Sequence, residues 1–278
     1  MSEPGLSALA RGVYAWIDPD PGRGHPNAGA VIDADGVTVI DTLCVPSQFV
    51  PFGEAVDGLG FPVRRIALTG DHIEFVGGTA RFSMAAIYGS PATSAHLDQP
   101  PNPAVYRRLF PDLAQEFDDE LRTRRVSHVV TEAAQLTPAI YALPVTGQAP
   151  TNLVLLVPDA DVLFAGALCS FGVTPLAFDG DPAVWADTLE DLATVAGTIV
   201  PGHGPVGAVE QVRELQGYLR ACVAADGDAT ALVPGPWDRW SGRQLDVVNV
   251  ERAAMLARGD HDVPPSMLRL AGLFGDGT

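Results

Sequence analysis

Three short runs in this 278-residue chain hold side chains able to move protons or bind a cation. The first is Thr69-Gly70-Asp71-His72-Ile73-Glu74-Phe75-Val76-Gly77-Gly78, which follows the apolar run Val63 to Leu68 and reads as the loop leaving a buried strand. The second is Gly147-Gln148-Ala149-Pro150, with Asn152 close behind, and it offers amide donors. The third, Ile199-Val200-Pro201-Gly202-His203-Gly204-Pro205, delivers another histidine. Imidazoles and carboxylates of this kind serve acid/base chemistry when paired, or hold zinc or iron when three or four of them converge.

In this order and composition the runs resemble the metallo-β-lactamase superfamily. That superfamily places Thr-His-x-His-x-Asp-His-x-Gly-Gly at the first run. Aligned without a gap on Thr69 and Gly77-Gly78, its ligands fall on Gly70, His72, Glu74 and Phe75. Gln148 stands where Gly-His-Thr-Pro carries a histidine. Val162-Leu163-Phe164-Ala165-Gly166 resembles the strand ending in a metal-bridging Asp, which here is Ala167. His203 lies in an intact terminal motif, and Asp41 matches the Asp that buttresses the metal loop. The resemblance implies an α/β fold, a four-layer αββα sandwich, and hydrolase-like or lyase-like chemistry.

It does not imply the usual dizinc centre, because Gly70, Glu74, Phe75, Gln148 and Ala167 have all departed from the ligand pattern. The expected pocket is metal-free and takes no cofactor, with Asp71, His72, Glu74 and His203 converging as an acid/base set. A carboxylate buried beside Phe75 and close to His72 or His203 makes such a set without an ion. Gln148 and Asn152 would donate to a substrate carbonyl or oxyanion. The expected substrate is a small carbonyl-containing molecule: an ester, thioester, lactone or polyketide-like compound. Two alternatives stay open. One is a single zinc or ferrous ion on His72, His203 and either Glu74 or Asp71; the other is a non-catalytic small-molecule-binding protein.

Other residues border this set by position. His25, in Arg23-Gly24-His25-Pro26-Asn27, lies in the counterpart of a loop that overhangs the site in the superfamily. Cys44 follows the Asp41 strand, and Cys169 follows the bridging position by two residues. Free cysteines usually pack as small hydrophobes, so covalent catalysis is not expected. His96 reads as a surface histidine.

Bulk composition bounds the partners. With 17 basic and 34 acidic residues the net charge is −17, which repels nucleic acid and anionic membranes. Three scattered cysteines form no disulfide framework. Met1 to Arg11 lacks a cationic start with an apolar core, and no run reaches the ~20 apolar residues of a membrane span. A soluble, cytoplasmic, bacterial protein is expected.

The elements that must position these groups follow from patterning. The runs Gly12 to Ile17, Ala28 to Asp33 and Val37 to Asp41, split by turn formers, read as an antiparallel meander. Gln48 to Leu59 has helical spacing, and so does Tyr106 to Leu121, with Leu109, Leu113 and Phe117 on one face of an insertion covering 98–126. Strands at Val126 to Val130, Ile140 to Pro144, Leu153 to Val157 and Val162 to Ala165 are expected in the second sheet. Asp181-Pro182 opens a helix that turns Val184, Trp185, Leu189, Leu192 and Val195 to the core, and Gly197 stops it. Residues 1–222 thus form the main domain. Residues 223–278 form a helical extension, with Val248, Arg252 and Met255 along one side of Leu245 to Ala257, packed on the same domain or on the second subunit of a homodimer.

Overall fold

Turn formers at Asp18 to Gly22 and at Asp35-Gly36 cut the early chain into an antiparallel meander of β1 (Gly5–Ala10), β2 (Val13–Ile17), β3 (Ala28–Asp33) and β4 (Gly36–Ile40). The structure is a computed structural model that describes residues 4–272; residues 1–3, at the head of the segment read for a leader, and residues 273–278, at the end of the extension, lie outside the described residues. Helix α1 (Pro46–Asp57) returns the chain to β5 (Val63–Ala67), which runs parallel to β4. The loop after β5 enters the four-residue helix α2 (Ile73–Val76), and β6 (Ala86–Gly89) and α3 (Pro91–Leu97) follow. Ser90 caps α3 by accepting from the Thr93 amide at 3.1 Å.

Two sequence expectations change in the middle of the chain. The segment 126–130 does not join the second sheet: its strand β7 (His128–Val129) pairs parallel to β6 and forms the edge of the first, seven-stranded sheet. The single helix expected over Tyr106 to Leu121 is instead α4 (Pro103–Leu109), a break at Phe110, and a 3-10 stretch over Pro111–Glu116. Pro111 accounts for the break, since the residue before a proline is pushed out of the helical region and Phe110 takes φ −127° and ψ 71°. Phe110, Phe117 and Leu121 remain buried against the first sheet's outer core.

The second sheet has the order β12-β11-β10-β9-β8. It begins with β8 (Ala134–Thr137), a strand that the sequence did not announce, hairpinned to β9 (Ile140–Val145). β10 (Asn152–Val157) and β11 (Val162–Ser170) continue antiparallel, and β12 (Thr198–His203) closes parallel to β11. Helix α5 (Pro182–Leu192) starts as expected, with Asp181 accepting from the Ala183 and Val184 amides, but it ends at Leu192 and leaves Val184 exposed. Helices α6 (Val209–Ala224), α7 (Asp246–Ala257) and α8 (Pro265–Leu270) complete the chain.

Three clusters of buried side chains separate the layers. One lies between the sheets, where Ile40, Ala67, Leu153 and Phe164 meet; Gly29 lets the Phe164 ring approach so closely that an added Cβ would stand 2.2 Å from it. A second lies between the first sheet and its helices. The third holds Trp185, Leu189, Leu215 and Tyr218, and Trp237, Trp240 and Val250 of the extension share it. The result is a four-layer αββα arrangement. The parallel strands β4, β5, β11 and β12 all end on one rim, and the chemistry-bearing loops leave from there. No helix among the described residues is long and apolar enough to cross a membrane.

Candidate active site

Asp41 ends β4 and fixes the loop that follows β5. It is buried at φ 56°, and its two carboxylate oxygens accept from the Thr69 amide at 2.8 Å and the Thr69 hydroxyl at 2.7 Å. Burial pushes its pKa up to about 7, against the two Thr69 bonds that favour the charged form. Thr69 in turn accepts from the Ala167 amide at 3.1 Å, at a bulge where Gly166 adopts φ 47° because a side chain there would strike Thr69. The strand ends β4, β5 and β11 are thereby locked together.

From this anchor the loop delivers Glu74, Phe75 and His72 to a cavity of about 360 Å³. Glu74 is 9 % exposed; its Oε1 accepts from the Gly24 amide at 2.5 Å and stands 3.7 Å from His203 Nε2. His203 donates from Nδ1 to the His25 carbonyl at 3.2 Å. A carbonyl cannot donate, so Nδ1 carries the proton, and in the neutral ring Nε2 is left as the lone pair that faces Glu74. Phe75 lies edge-on to His203 at 5.8 Å and covers one side of the pair. Asn27 holds the His203 turn by donating to the Pro201 and Gly204 carbonyls at 2.9 and 2.8 Å.

His72 forms a second pair, with a residue that sequence reasoning missed. Its Nε2 lies 3.6 Å from Asp179 Oδ2, within ion-pair reach but too long for a hydrogen bond, and its ring stacks on Phe178 at 5.5 Å. Burial works against its charge, yet the carboxylates of Asp179, Asp71 and Glu74 prevail and carry its pKa up to about 9. The carboxylates around it therefore favour the protonated ring. His72 Nε2 and Asp179 Oδ1 are both buried without a hydrogen-bond partner. The signal for Asp179 was weak, because Phe178-Asp179-Gly180 precedes the helix cap Asp181 and reads as turn chemistry.

The segment bearing Phe178 and Asp179 is held by α7. Asn249 accepts from the Ala177 amide at 2.9 Å and donates to the Pro175 carbonyl at 2.8 Å, while Arg252 donates from Nε to the Gly180 carbonyl at 2.8 Å. Arg252 also donates from Nη1 to the carbonyls of His261 and Asp262, at 3.2 and 2.9 Å, just before the residues Val263, Met267 and Leu268 that wall the cavity. Val248, Arg252 and Met255 are buried together on α7, matching the side read from its spacing.

The other candidate residues fall into two groups. Gln148 lines the cavity; its oxygen accepts from Asn152 Nδ2 at 3.0 Å, which leaves its amide nitrogen to donate into the cavity. Asn152 is fully buried behind it, accepting from the Ala149 amide, and acts on Gln148 rather than on a ligand. Asp71 turns away toward His96, 3.8 Å distant, and does not line the cavity, whereas His96 does. His25 also points elsewhere: its ring pairs with Asp18 at 3.1 Å, which raises its pKa, and only its carbonyl reaches the site. Cys169 and Cys44 are buried, and burial pushes the Cys169 thiol up to about 12. Arg23, two residues before His25, lines the cavity, lies 5.5 Å over the Phe110 ring and donates to the Leu109 carbonyl at 2.8 Å.

The positions that would carry metal ligands in the resembling superfamily do meet in space. A Cβ on Gly70 would lie 2.9 Å from the Ala167 methyl and 3.8 Å from the Phe75 ring. The Ala167 methyl and the Phe75 ring thus stand where two ligands would, with Asn152 Nδ2 3.6 Å from the same Cβ. His72 is turned to Asp179, Asp71 to His96 and Glu74 to His203, and among the described residues no three His, Cys, Asp or Glu side chains are grouped to hold a metal ion. The donor set does not fit a metal centre of either the two-ion or the one-ion kind.

A family model described as the metallo-β-lactamase superfamily matches residues 21–203. Similar solved structures include VMB-1, at 18% identity and TM-score 0.63, covering 80% of this chain and 98% of that one. FIM-1 from Pseudomonas aeruginosa, a metallo-β-lactamase in its mono-zinc form, is 18% identical with TM-score 0.61 over 79% of this chain and 96% of its own. A metallo-β-lactamase from Erythrobacter litoralis is 20% identical with TM-score 0.60, over 79% and 97%. At such identities the likeness concerns the fold.

Proposed function

This chain belongs to the metallo-β-lactamase superfamily, and from that premise we propose that it is a metal-independent hydrolase of a small carbonyl compound, working by acid/base chemistry. The observation that carries this reading is the pair of imidazole–carboxylate contacts, 3.6 Å for His72 with Asp179 and 3.7 Å for His203 with Glu74, beside one apolar cavity.

The two pairs divide the work. His203 Nε2 and Glu74 are both acceptors, so together they take a proton from a water as its oxygen attacks the substrate carbonyl. Gln148 donates from its amide nitrogen to the oxygen that becomes negative. As the carbonyl re-forms, the bond to the leaving group breaks and His72, as the imidazolium, gives that group its proton. The proton taken by the Glu74–His203 pair then returns to His72 through solvent. Two pairs of this kind, one a proton acceptor and one a donor at the same pH, are the arrangement that general acid and base catalysis needs.

The test is turnover of a panel of neutral esters and lactones, with elemental analysis of the same preparation. Hydrolysis that persists in the presence of EDTA and falls ~10²-fold or more in His203→Ala supports the reading. Two equivalents of tightly held metal would overturn it, and binding of the panel without turnover would instead favour a non-catalytic binding protein.

A further inference from the structure

The cavity wall and its charges together narrow the substrate class, and the inference rests on the hydrolase reading above only for the position of the carbonyl. The wall is almost entirely apolar away from the paired groups. Tyr106 and Phe110 of the insertion and Val263, Met267 and Leu268 near the carboxy-terminus supply it, facing the polar edge at Gln148 and His203. At about 360 Å³ it stands at the small end of the ~300–1,000 Å³ typical of ligand pockets.

The three histidines that line the cavity each face a carboxylate. His72 has Asp179 at 3.6 Å, His203 has Glu74 at 3.7 Å, and His96 has Asp71 at 3.8 Å. Arg23 donates from Nη2 to the Leu109 carbonyl and lies over the Phe110 face. A ligand bringing a charged head would have to break one of these pairs in a poorly solvated place, which is costly. The chain's net charge of −17 opposes anions further. The Gln148 amide nitrogen faces the cavity as a neutral donor, which suits one neutral carbonyl.

We propose that the site takes neutral carbonyl compounds with a medium-length apolar body, such as simple esters or lactones, and rejects carboxylates and the phosphate-bearing thioesters. The carbonyl lies at Gln148, and the apolar body lies between the insertion and the helix α8. Met267 and Leu268 set the length accepted.

The test uses ligands that cannot be hydrolysed, so that binding is read apart from turnover. Calorimetric titration of the full-length protein with 2-butanone through 2-undecanone should show affinity rising about fourfold per added methylene, from ~0.8 kcal/mol per buried CH₂, until the cavity is full. Octanoate should bind at least tenfold more weakly than 2-nonanone. Met267→Trp should shorten the best-bound chain, with Leu268→Trp as the second variant should the first fail to fold, and Met84→Trp on the exposed surface as the control. Affinity independent of chain length, octanoate binding as tightly as the ketone, or folded Met267→Trp and Leu268→Trp proteins with the wild-type length preference would each overturn the proposal. Hydrolysis of methyl octanoate is scored separately: ketones that bind as expected beside an ester that is never cleaved leave this inference standing and sink the hydrolase reading.

Discussion

The polar floor of the cavity comes from loops at the ends of parallel strands, where the Gly24 amide holds Glu74, the His25 carbonyl holds His203 and the Asp41 carboxylate holds the Thr69 amide at 2.5 to 3.2 Å, whereas its apolar roof comes from α4 and α8, whose side chains meet the cavity by packing alone. The floor is fixed by directional bonds and tolerates little displacement. The roof is fixed by contact area, so its residues can change size while the floor stays in place. The difference teaches where each property resides: the reaction with the strand ends, the choice of substrate with the additions to the sandwich.

The comparison breaks if floor and roof substitutions produce the same kinetic signature. Glu74→Gln keeps shape and still accepts from the Gly24 amide, but it cannot take a proton; kcat should fall ~10²- to 10⁴-fold with KM changed only a few-fold. Steady-state kinetics on the best neutral ester, with circular dichroism to confirm the fold, checks this. A KM effect alone would make Glu74 a substrate anchor.

His72→Gln comes next, with an expected loss of ~10²-fold in kcat and a distinct pH signature. The folded pKa of about 9 lies above the 6.5 of an ordinary histidine, so the native state binds the proton more tightly than the unfolded chain. The stability gained is full below pH 6.5 and is lost as pH rises through 9. Urea unfolding at pH 6 and pH 9.5 should show a smaller difference in His72→Gln than in the wild type.

Roof substitutions should be milder. Met267→Ala removes part of the apolar wall and should raise KM several-fold for a medium-length ester while sparing kcat. Smallest of all, Cys169→Ala should leave turnover within about twofold, because a buried thiol with its pKa pushed up to about 12 supplies no thiolate. A large loss there, in a folded protein, would reopen covalent catalysis.

The same division explains what the sequence disclosed. The layer order, the Asp181 cap, the buried side of α7 and the facing of Gly70, Phe75 and Ala167 were all readable, because local patterning and ordered motifs encode them. Asp179 was not, since its role depends on α7 bringing Asn249 and Arg252 under a turn more than 65 residues earlier in the chain, as the 72- and 74-residue separations of their bonds show. Half of the roof followed from the resemblance, in which an insertion such as 98–126 covers the pocket, but that Met267 of α8 would line the same cavity as Val105 depends on tertiary packing alone. His25 and Asp71 were plausible by position, but side-chain direction sent the first to Asp18 and the second to His96.

Arg252 has a further consequence for how such a chain can diverge. Its guanidinium joins the carbonyl next to Asp179 to the carbonyls that precede α8, so the proton donor's partner and the substrate wall share one support. Mutational drift in the wall is therefore coupled to the acid pair. Lineages that acquire a new substrate by remodelling α8 should have to pass through compensating changes around position 252, whereas remodelling the insertion, to which Arg252 makes no hydrogen bond, leaves Asp179 undisturbed and is the freer route.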